Sequence, residues 1–310
     1  MKNKPDFTDT IEEWSNFFIP LHDGVQLAAR AWLPINAIEQ PVPAILEYIP
    51  YRKRDGTAIR DEQMHPYWAA FGYACVRVDI RGSGESDGLL LDEYLQQELE
   101  DAVEVIGWLE QQDWCSGKVG MMGKSWGGFN SLQVAALRPA ALKAIITVCS
   151  TDDRYADDCH YRGGALLIEN FSWASTISCY MAKSPDPLLL PETWREHWLE
   201  RLQNIPLFAR NWLEHTYKDA YWKHGSINED YSAIEAAVYC VGGWGDAYSV
   251  AIPRIIQGLS GPKKALIGPW AHKYPNFASP KPEMDFLAEA KRWWDYWLKG
   301  INNGIMDEAV

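Results

Sequence analysis

The sequence predicts an α/β fold in which a mainly parallel, doubly wound sheet carries an inserted helical cap. Short apolar runs of strand length alternate with amphipathic helical patterns, an alternation typical of parallel strands joined by helices. The alternation stops after Val148 and resumes near Ala237, and amphipathic segments fill the interval. We therefore expect residues 1–151 and 234–310 to form one α/β core and residues 152–233 to form the cap.

The core begins with a hairpin and continues with buried strands. Residues 12–34 alternate in polarity around the turn His22-Asp23-Gly24, which predicts two antiparallel strands at the sheet edge. A helix is predicted for residues 91–111, where apolar residues recur at helical spacing between acidic and amide residues. The apolar runs that predict buried strands are residues 42–48, 74–80, 118–122, 142–148, 237–241 and 264–267.

Two further helices are predicted outside this series. Residues 191–203 begin at a proline, which suits the first turn of a helix, and they lie within the cap. Residues 282–299 are followed by Gly300, a residue type that commonly ends helices. We therefore expect the cap to be helical and the core to end on a helix.

Composition argues against several classes of protein and partner. The 310 residues are 47% hydrophobic and 23% charged, and no apolar run approaches the roughly 18 residues of a membrane helix. No apolar stretch follows the N-terminal lysines, so we expect no signal peptide and a cytoplasmic location. The net charge of −13 would repel a phosphate backbone, which argues against nucleic acid and membrane surfaces as partners. The six cysteines lack the paired spacing of zinc sites, and we expect them to be reduced and structural.

The segment around Ser125 carries the clearest chemical signal. Gly123-Lys124-Ser125-Trp126-Gly127 follows a predicted strand and enters a helix, which is the setting of the nucleophile elbow in the α/β-hydrolase fold. The serine of such an elbow sits in a strained turn, and side chains at the two glycines would clash with neighbouring elements. A glycine-rich connection without a catalytic role is the alternative interpretation. We favour Ser125 as nucleophile because strand, helix and partner residues occur in the required order.

A serine nucleophile needs a base and an acid that orients the base. In this fold the acid and then the histidine follow the serine along the chain. His272 follows the last predicted strand, at the kind of strand end where catalytic groups of open α/β sheets gather, whereas the other six histidines precede the elbow or lie in the cap. Asp246 follows the preceding strand and a glycine-rich turn, and is the favoured acid. Asp152 or Asp153, after an earlier strand, is the rival.

The oxyanion formed during attack needs preorganised donors. The backbone N–H of Trp126, directly after the nucleophile, is one candidate. The second donor is expected in the loop after the strand at residues 42–48, which lacks a glycine-rich run, and the phenol of Tyr51 is the leading candidate there. A tyrosine that merely packs beside a proline is the alternative.

Five motifs follow one another along the chain: Pro50-Tyr51, Asp79-Ile80-Arg81-Gly82-Ser83-Gly84-Glu85-Ser86-Asp87-Gly88, the elbow at Ser125, Gly243-Trp244-Gly245-Asp246 and Gly268-Pro269-Trp270-Ala271-His272. In this order they resemble the motifs of a known family, the CocE/NonD-type hydrolases, which include cocaine esterase, the α-amino acid ester hydrolases and the catalytic domain of X-Pro dipeptidyl-peptidases. The resemblance spans nearly the whole chain. The second motif is expected to be structural and to lie outside the site.

The resemblance implies roles for five residues. Ser125, Asp246 and His272 would form the catalytic triad, and the Tyr51 hydroxyl and the Trp126 N–H would form the oxyanion hole. The expected activity is hydrolysis of a small-molecule ester or amide through an acyl-enzyme, with no metal or organic cofactor. A CocE-like esterase is the favoured activity.

Two alternatives to that activity stay open. An α-amino acid ester hydrolase or X-Pro dipeptidyl aminopeptidase acts on substrates that carry an ammonium group, and a catalytically silent binding or scaffold protein could share the fold. An ammonium in an apolar site needs compensating carboxylates. Candidates cluster at the start of the cap, where a solvated acidic loop is the other interpretation: Asp152, Asp153, Asp157, Asp158 and Glu169.

The resemblance also implies a C-terminal β jelly-roll domain. In the family this domain follows a helix like that at residues 292–300, whereas the sequence ends at Val310. Without the domain, apolar surface of the core would be uncovered, and we expect a homo-oligomer as one way of covering it.

Overall fold

The computed structural model describes residues 10–308, whose strands form an eight-stranded sheet and a two-stranded ribbon. The strands are β1 (Ile11–Pro20), β2 (Gln26–Pro34), β3 (Val42–Ile49), β4 (Ala74–Asp79), β5 (Cys115–Lys124), β6 (Leu142–Val148), β7 (Tyr161–Arg162), β8 (Ala165–Leu166), β9 (Ala237–Gly243) and β10 (Lys263–Gly268). In the large sheet they lie in the order β1-β2-β4-β3-β5-β6-β9-β10, and β7 pairs with β8.

The large sheet is mainly parallel, as predicted. β2 pairs antiparallel with both β1 and β4, and the other neighbouring pairs are parallel. β1 and β2 form the predicted hairpin at one edge, and the turn is closed by a bond of 2.8 Å from the Leu21 N–H to the Val25 carbonyl. The predicted buried strands correspond to β3, β4, β5, β6, β9 and β10.

The strands that follow β3 along the chain are added on opposite sides of it. β4 lies on one side of β3 and β5 lies on the other, so the crevice at the carboxyl ends of β3 and β5 is a topological switch point. Tyr51 follows β3 closely, and Ser125 follows β5 directly. Open α/β sheets bind ligands at such crevices, so the topology places these two residues where a site is expected.

Helices cover both faces of the sheet. The helices are α1 (Ala58–Ala70), α2 (Gln96–Glu110), α3 (Trp126–Ala136), α4 (Glu169–Met181), α5 (Trp194–Asn204), α6 (Phe208–Glu214), α7 (Ala220–Lys223), α8 (Ala251–Gly258) and α9 (Phe286–Lys299). In β3, Leu46 belongs to the core cluster of α2, α3 and α8, whereas Ile45 belongs to the cluster of α1 and α9. The sheet is therefore doubly wound, as predicted. Of the helices within residues 10–308, none is both long and apolar enough to cross a membrane.

Three predicted helices begin later than expected. α5 starts at Trp194 and not at residue 191, so the proline does not form its first turn. α2 starts at Gln96 and not at residue 91, because Tyr94 has a φ of 54°, which is incompatible with a right-handed helix. α9 starts at Phe286 and not at residue 282, because Asp285 caps it by accepting the Ala288 N–H at 3.2 Å.

Residues 152–233, hereafter the cap segment, lie between β6 and β9. They contain α4 to α7 and the β7–β8 ribbon, which was not predicted. Two buried arginines bond this segment to the core: Arg201 of α5 donates to the Gly84 carbonyl at 2.7 Å, and Arg52 after β3 donates to the Ser184 carbonyl at 2.8 Å. Long side chains therefore fasten the cap segment to the loops at the carboxyl end of the sheet.

Candidate active site

Ser125 lies at the sharp turn between β5 and α3. Its φ of 57° and ψ of −121° place it in a region that residues with a side chain rarely adopt. Backbone bonds hold this conformation: the Ser125 N–H donates to the Val148 carbonyl at 2.9 Å, and the Ser125 carbonyl accepts from the N–H groups of Gly128 and Phe129. The strain is therefore imposed by the surrounding backbone.

The glycines on either side of the turn leave no space for a side chain. A Cβ added to Gly123 would lie 2.5 Å from the Gly127 Cα, and one added to Gly127 would lie 2.7 Å from the Ile49 Cγ2. The first contact is with backbone and cannot be relieved by a rotamer change. The elbow thus requires glycine at Gly123 for the steric reason on which the motif rests.

Asp246 and His272 meet at the ends of two neighbouring parallel strands. Asp246 follows β9 and His272 follows β10, and the His272 Nδ1 lies 2.9 Å from the Asp246 Oδ1. The carboxylate is buried, whereas 38% of the histidine side chain is exposed. Because the carboxylate occupies Nδ1, Nε2 is the nitrogen left for a substrate or a nucleophile.

Ser125 and His272 line one cavity of about 450 Å³. Among the hydrogen bonds of residues 10–308, none joins the Ser125 Oγ to the His272 ring. Such bonds are often long in enzymes without substrate and tighten in the substrate complex. The arrangement places a hydroxyl, an imidazole and a buried carboxylate around one cavity.

The acidity of Asp246 reflects its neighbours. Burial alone would raise its pKa, but the hydrogen bond and charge of His272, with the side chain of Cys149, lower the pKa below its ordinary value. Burial raises the pKa of the Cys149 thiol, so the thiol is neutral beside the carboxylate. All six cysteines lie within the described residues and are free.

Two groups of side chains within residues 10–308 have the types and spacing to hold a metal ion. One joins Cys149 to Asp246 and His272, with ligand atoms within 4.8 Å of one another. The other consists of Glu47, Asp61 and His65, and both of its carboxylates pair with Arg60. In both groups the carboxylates already have cationic or hydrogen-bonding partners.

The rival acids Asp152 and Asp153 are engaged elsewhere. Asp152 pairs with Arg254, and Asp153 pairs with Lys218 at 2.9 Å and accepts backbone N–H groups of its own turn. Neither lines the cavity that contains His272. The structure brings Asp246 and not these residues to the histidine.

Tyr51 lies beside Ser125. Its phenol is within hydrogen-bonding reach of the Ser125 side chain, and burial raises its pKa well above the ordinary value. Tyr51 therefore presents a protonated hydroxyl, which can donate. Its ring packs against Trp126, Trp173 and Tyr180 at centroid distances of 6.4, 6.4 and 5.3 Å.

Trp126 is the first residue of α3. Its backbone N–H has no carbonyl within the helix to bond, as for any first-turn residue. Its indole N–H donates to the Glu98 carboxylate of α2 at 2.5 Å, and Asn130 of α3 donates to the same oxygen at 2.9 Å. Burial raises the pKa of Glu98 to about 7. The residue after Ser125 is thus anchored by a buried acid that was not identified from the sequence.

Residues 79–88 support the loop that carries Tyr51. The Asp79 carboxylate accepts the Lys53 N–H at 2.9 Å, and the Ser83 hydroxyl donates to the Pro50 carbonyl. The segment therefore acts on the site through another loop, as its structural interpretation anticipated.

Most residues of the cavity wall were not predicted from the sequence. Glu93, His160 and Trp173 line the cavity, and their bonds to one another span 67 and 80 residues of sequence. Tyr94 and Tyr248 also line the cavity. No local motif marks these residues, because contacts that are distant in sequence assemble them.

The chain is similar to a known family in sequence and to solved structures in fold. The X-Pro dipeptidyl-peptidase (S15 family) pattern matches residues 23–274. Cocaine esterase of a Rhodococcus species is 28% identical over 284 residues, covering 83% of this chain and 48% of the relative. A putative Xaa-Pro dipeptidyl-peptidase of Bacillus cereus is 26% identical over 305 residues, covering 87% of this chain and 50% of the relative.

Solved structures confirm the fold class. A CocE/NonD family hydrolase from Staphylococcus aureus superposes with a TM-score of 0.76 at 20% identity, covering 96% of this chain and 52% of that chain. The chain spans about half the length of the curated relatives that it matches. The α/β-hydrolase fold and the resemblance found in the sequence are both confirmed, and the chain belongs to the X-Pro dipeptidyl-peptidase (S15) family of serine hydrolases.

Proposed function

We propose that the chain hydrolyses a carboxylic ester through an acyl-enzyme, with Ser125 as nucleophile, His272 as general base and Asp246 as the acid that orients the base. One observation carries the proposal: the strained Ser125 and the exposed edge of His272 line one cavity, while Asp246 holds the other ring nitrogen at 2.9 Å. A strained serine conformation is costly and persists where the surrounding structure imposes it, typically at functional sites.

The proposed reaction has two steps. The Ser125 Oγ attacks the ester carbonyl while the His272 Nε2 accepts the hydroxyl proton, and the same nitrogen then protonates the leaving alcohol. In the second step, water gives a proton to Nε2 and attacks the acyl-enzyme. Nε2 then returns the proton to the Ser125 Oγ as the acid is released. Asp246 stays ionised throughout and stabilises the imidazolium, in keeping with its lowered pKa.

The proposed oxyanion hole consists of the Tyr51 hydroxyl and the Trp126 N–H. Both flank Ser125, and the raised pKa of Tyr51 keeps its proton available for donation. A preorganised donor of this kind typically contributes about 100-fold or more to the rate. The cap segment is the proposed lid of the cavity, since Trp173 of α4 forms part of the wall.

An amide of the X-Pro type is the second candidate substrate. The family and the name of the Bacillus relative favour it. The same triad would cleave an ester or an amide, so the difference between the two lies in the cavity wall.

Active-site labelling and turnover test the proposed nucleophile. Purified protein is assayed with a short-chain p-nitrophenyl ester and, separately, treated with a fluorophosphonate whose position is found by mass spectrometry. We expect labelling at Ser125, and a fall in kcat of at least about 1000-fold in Ser125→Ala. Ser172→Ala is the matched control, because Ser172 lines the same cavity and its hydroxyl bonds to the Glu169 carbonyl. Absence of both labelling and turnover in a folded protein would favour the silent scaffold.

A further inference from the structure

The His160 ring is bonded at both nitrogens in the cavity wall. Its Nδ1 lies 2.9 Å from the Asn170 Oδ1, and its Nε2 lies 2.8 Å from the Glu93 Oε2. The Asn170 amide nitrogen donates to the carbonyls of His160 and Leu167, so the amide oxygen is the atom that faces Nδ1 and it can only accept. A carboxylate oxygen also accepts. Both ring nitrogens of His160 therefore donate, and a ring that donates from both nitrogens is an imidazolium.

The ionisation of the pair agrees with this geometry. Burial alone would lower the pKa of His160, but the Cys159 thiol and the Glu93 carboxylate raise it well above its ordinary value. Burial alone would raise the pKa of Glu93, but His160, Arg154 and the Trp173 indole lower it. The pair is thus a carboxylate and an imidazolium, both almost fully buried.

Both carboxylate oxygens of Glu93 already accept hydrogen bonds. Its Oε2 accepts from His160 and lies 3.8 Å from the Arg154 Nη2, and its Oε1 accepts from the Trp173 indole. The Arg154 guanidinium is therefore a second cation near the Glu93 carboxylate, in addition to His160. Arg154 is 1% exposed and lies 5.0 Å from the centre of the Tyr94 ring.

The other buried acid of the wall is Asp158. Its Oδ1 accepts from the Tyr248 hydroxyl at 2.9 Å and from the Cys159 N–H at 2.6 Å, and burial raises its pKa. Two carboxylates, those of Glu93 and Asp158, thus face two cations, those of His160 and Arg154. The charges of these four groups sum to zero, and protonation of Asp158 would make their sum positive.

Of the two acids of the cluster that remain, one is paired outside the cavity lining and the other is exposed within it. Asp157 pairs with Arg254 and Arg162 outside the cavity lining, and Glu169 is exposed where it joins the lining. Four further residues line the cavity with aromatic side chains: Tyr94, Phe129, Trp173 and Tyr248. The charged groups around Glu93 therefore balance one another, and they lie among aromatic side chains.

We propose that the cavity admits an uncharged acyl group and that His160 is the specificity-determining residue that excludes α-ammonium substrates, because it neutralises Glu93. This inference rests on the proposed function and names its substrate class. An ammonium group beside Glu93 would lose its hydration without gaining a carboxylate that lacks a cationic partner. Esters of simple carboxylic acids are then preferred to esters of α-amino acids and to dipeptidyl amides.

A pair of substrates that differ by one ammonium group tests the inference. p-Nitrophenyl propionate and alanine p-nitrophenyl ester have the same acyl chain length, and each kcat/KM at pH 6 is divided by the substrate's own uncatalysed rate. We expect the wild-type protein to prefer the propionate by about 100-fold. A ratio of one or below would overturn the inference without affecting Ser125 as nucleophile.

Variants separate the charge of His160 from its shape. His160→Gln leaves Glu93 with Arg154 alone, and the preference for propionate should fall at least tenfold. The double variant His160→Gln/Glu93→Gln removes both charges and should restore the wild-type ratio. A ratio unchanged in the single variant would contradict the role of His160. If the single variant does not fold, the wild-type ratio still decides the substrate class.

Two further outcomes have distinct meanings. Preference for the alanine ester that disappears in Asp158→Asn would place the ammonium on Asp158 and overturn the inference. Failure of both esters together with no fluorophosphonate labelling of Ser125 would overturn the proposed function itself.

Discussion

The nucleophile elbow and the cap segment are held in place by different means. At the elbow, neighbouring backbone groups bond directly, and Ser125 and Phe129 are four residues apart. The cap segment is held by long side chains that reach distant carbonyls, and Arg201 and Gly84 are 117 residues apart. A short stretch of sequence can specify the first arrangement, whereas the second depends on the completed fold. The turn at Ser125 and the cap segment are thus specified at different ranges along the chain.

The largest effect is expected from a methyl group at the elbow. Gly123→Ala would place a Cβ 2.5 Å from the backbone of Gly127, and the turn must open to accommodate it. We expect a loss of about 3 kcal/mol of stability and a fall in kcat/KM of at least about 100-fold, because the nucleophile is displaced. Chemical denaturation and ester hydrolysis measure the two effects.

Gly107→Ala is the matched control for this change. Gly107 lies within α2 with no heavy atom within 4 Å of an added Cβ, so alanine should leave activity unchanged and stabilise the protein by up to about 1 kcal/mol. Wild-type activity in Gly123→Ala would mean that the elbow is not set by backbone sterics, and the contrast with the cap segment would fail.

The same contrast explains what the sequence could predict. The strands and the elbow follow from local apolar patterns and from glycine positions, and the structure has both where they were expected. His160 could not be assigned a role, because its charge depends on Glu93, 67 residues earlier, and on Asn170. Glu98 was covered only by the helix predicted for residues 91–111. Nothing in the helical pattern indicates that its carboxylate accepts the Trp126 indole N–H.

The choice between Asp246 and Asp152 shows a second limit. Both residues follow predicted strands, so position along the chain left them as rivals. The sheet order decides which one meets the histidine: β9 lies directly beside β10, and their carboxyl ends carry Asp246 and His272. Asp152 instead pairs with Arg254 of α8. Strand order, which sequence patterning does not give, supplies the missing information.

A pH-dependent effect of intermediate size is expected at Glu98, the polar anchor of the elbow. Burial raises its pKa from 4.5 to about 7, so between these values the folded protein keeps a proton that the unfolded chain releases. Stability therefore falls as pH rises through this window, by about 3 kcal/mol in total. Urea unfolding at pH 5, 6, 7 and 8 should show this decline in the wild type and a flatter curve in Glu98→Gln, which cannot titrate.

Glu100→Gln controls for the change in net charge. Glu100 is exposed on the same helix, and its curve should run parallel to that of the wild type. Parallel curves for Glu98→Gln and the wild type would mean that the acid does not hold its proton in this window, and the elbow would then depend on backbone contacts alone.

The smallest effect is expected at the cap segment. Arg201→Gln leaves the buried carbonyls of Gly84 and Ser86 without a charged donor, at a cost of about 2 kcal/mol. We expect faster proteolysis within the cap segment and a several-fold loss of kcat/KM for a bulky acyl ester, while fluorophosphonate labelling of Ser125 stays near the wild-type rate. Arg195→Gln, an exposed position on the same helix, should change neither. If Arg201→Gln slowed the labelling as strongly as Gly123→Ala, the conformation of the elbow would depend on the contacts of the cap segment. The two regions would then not be held independently.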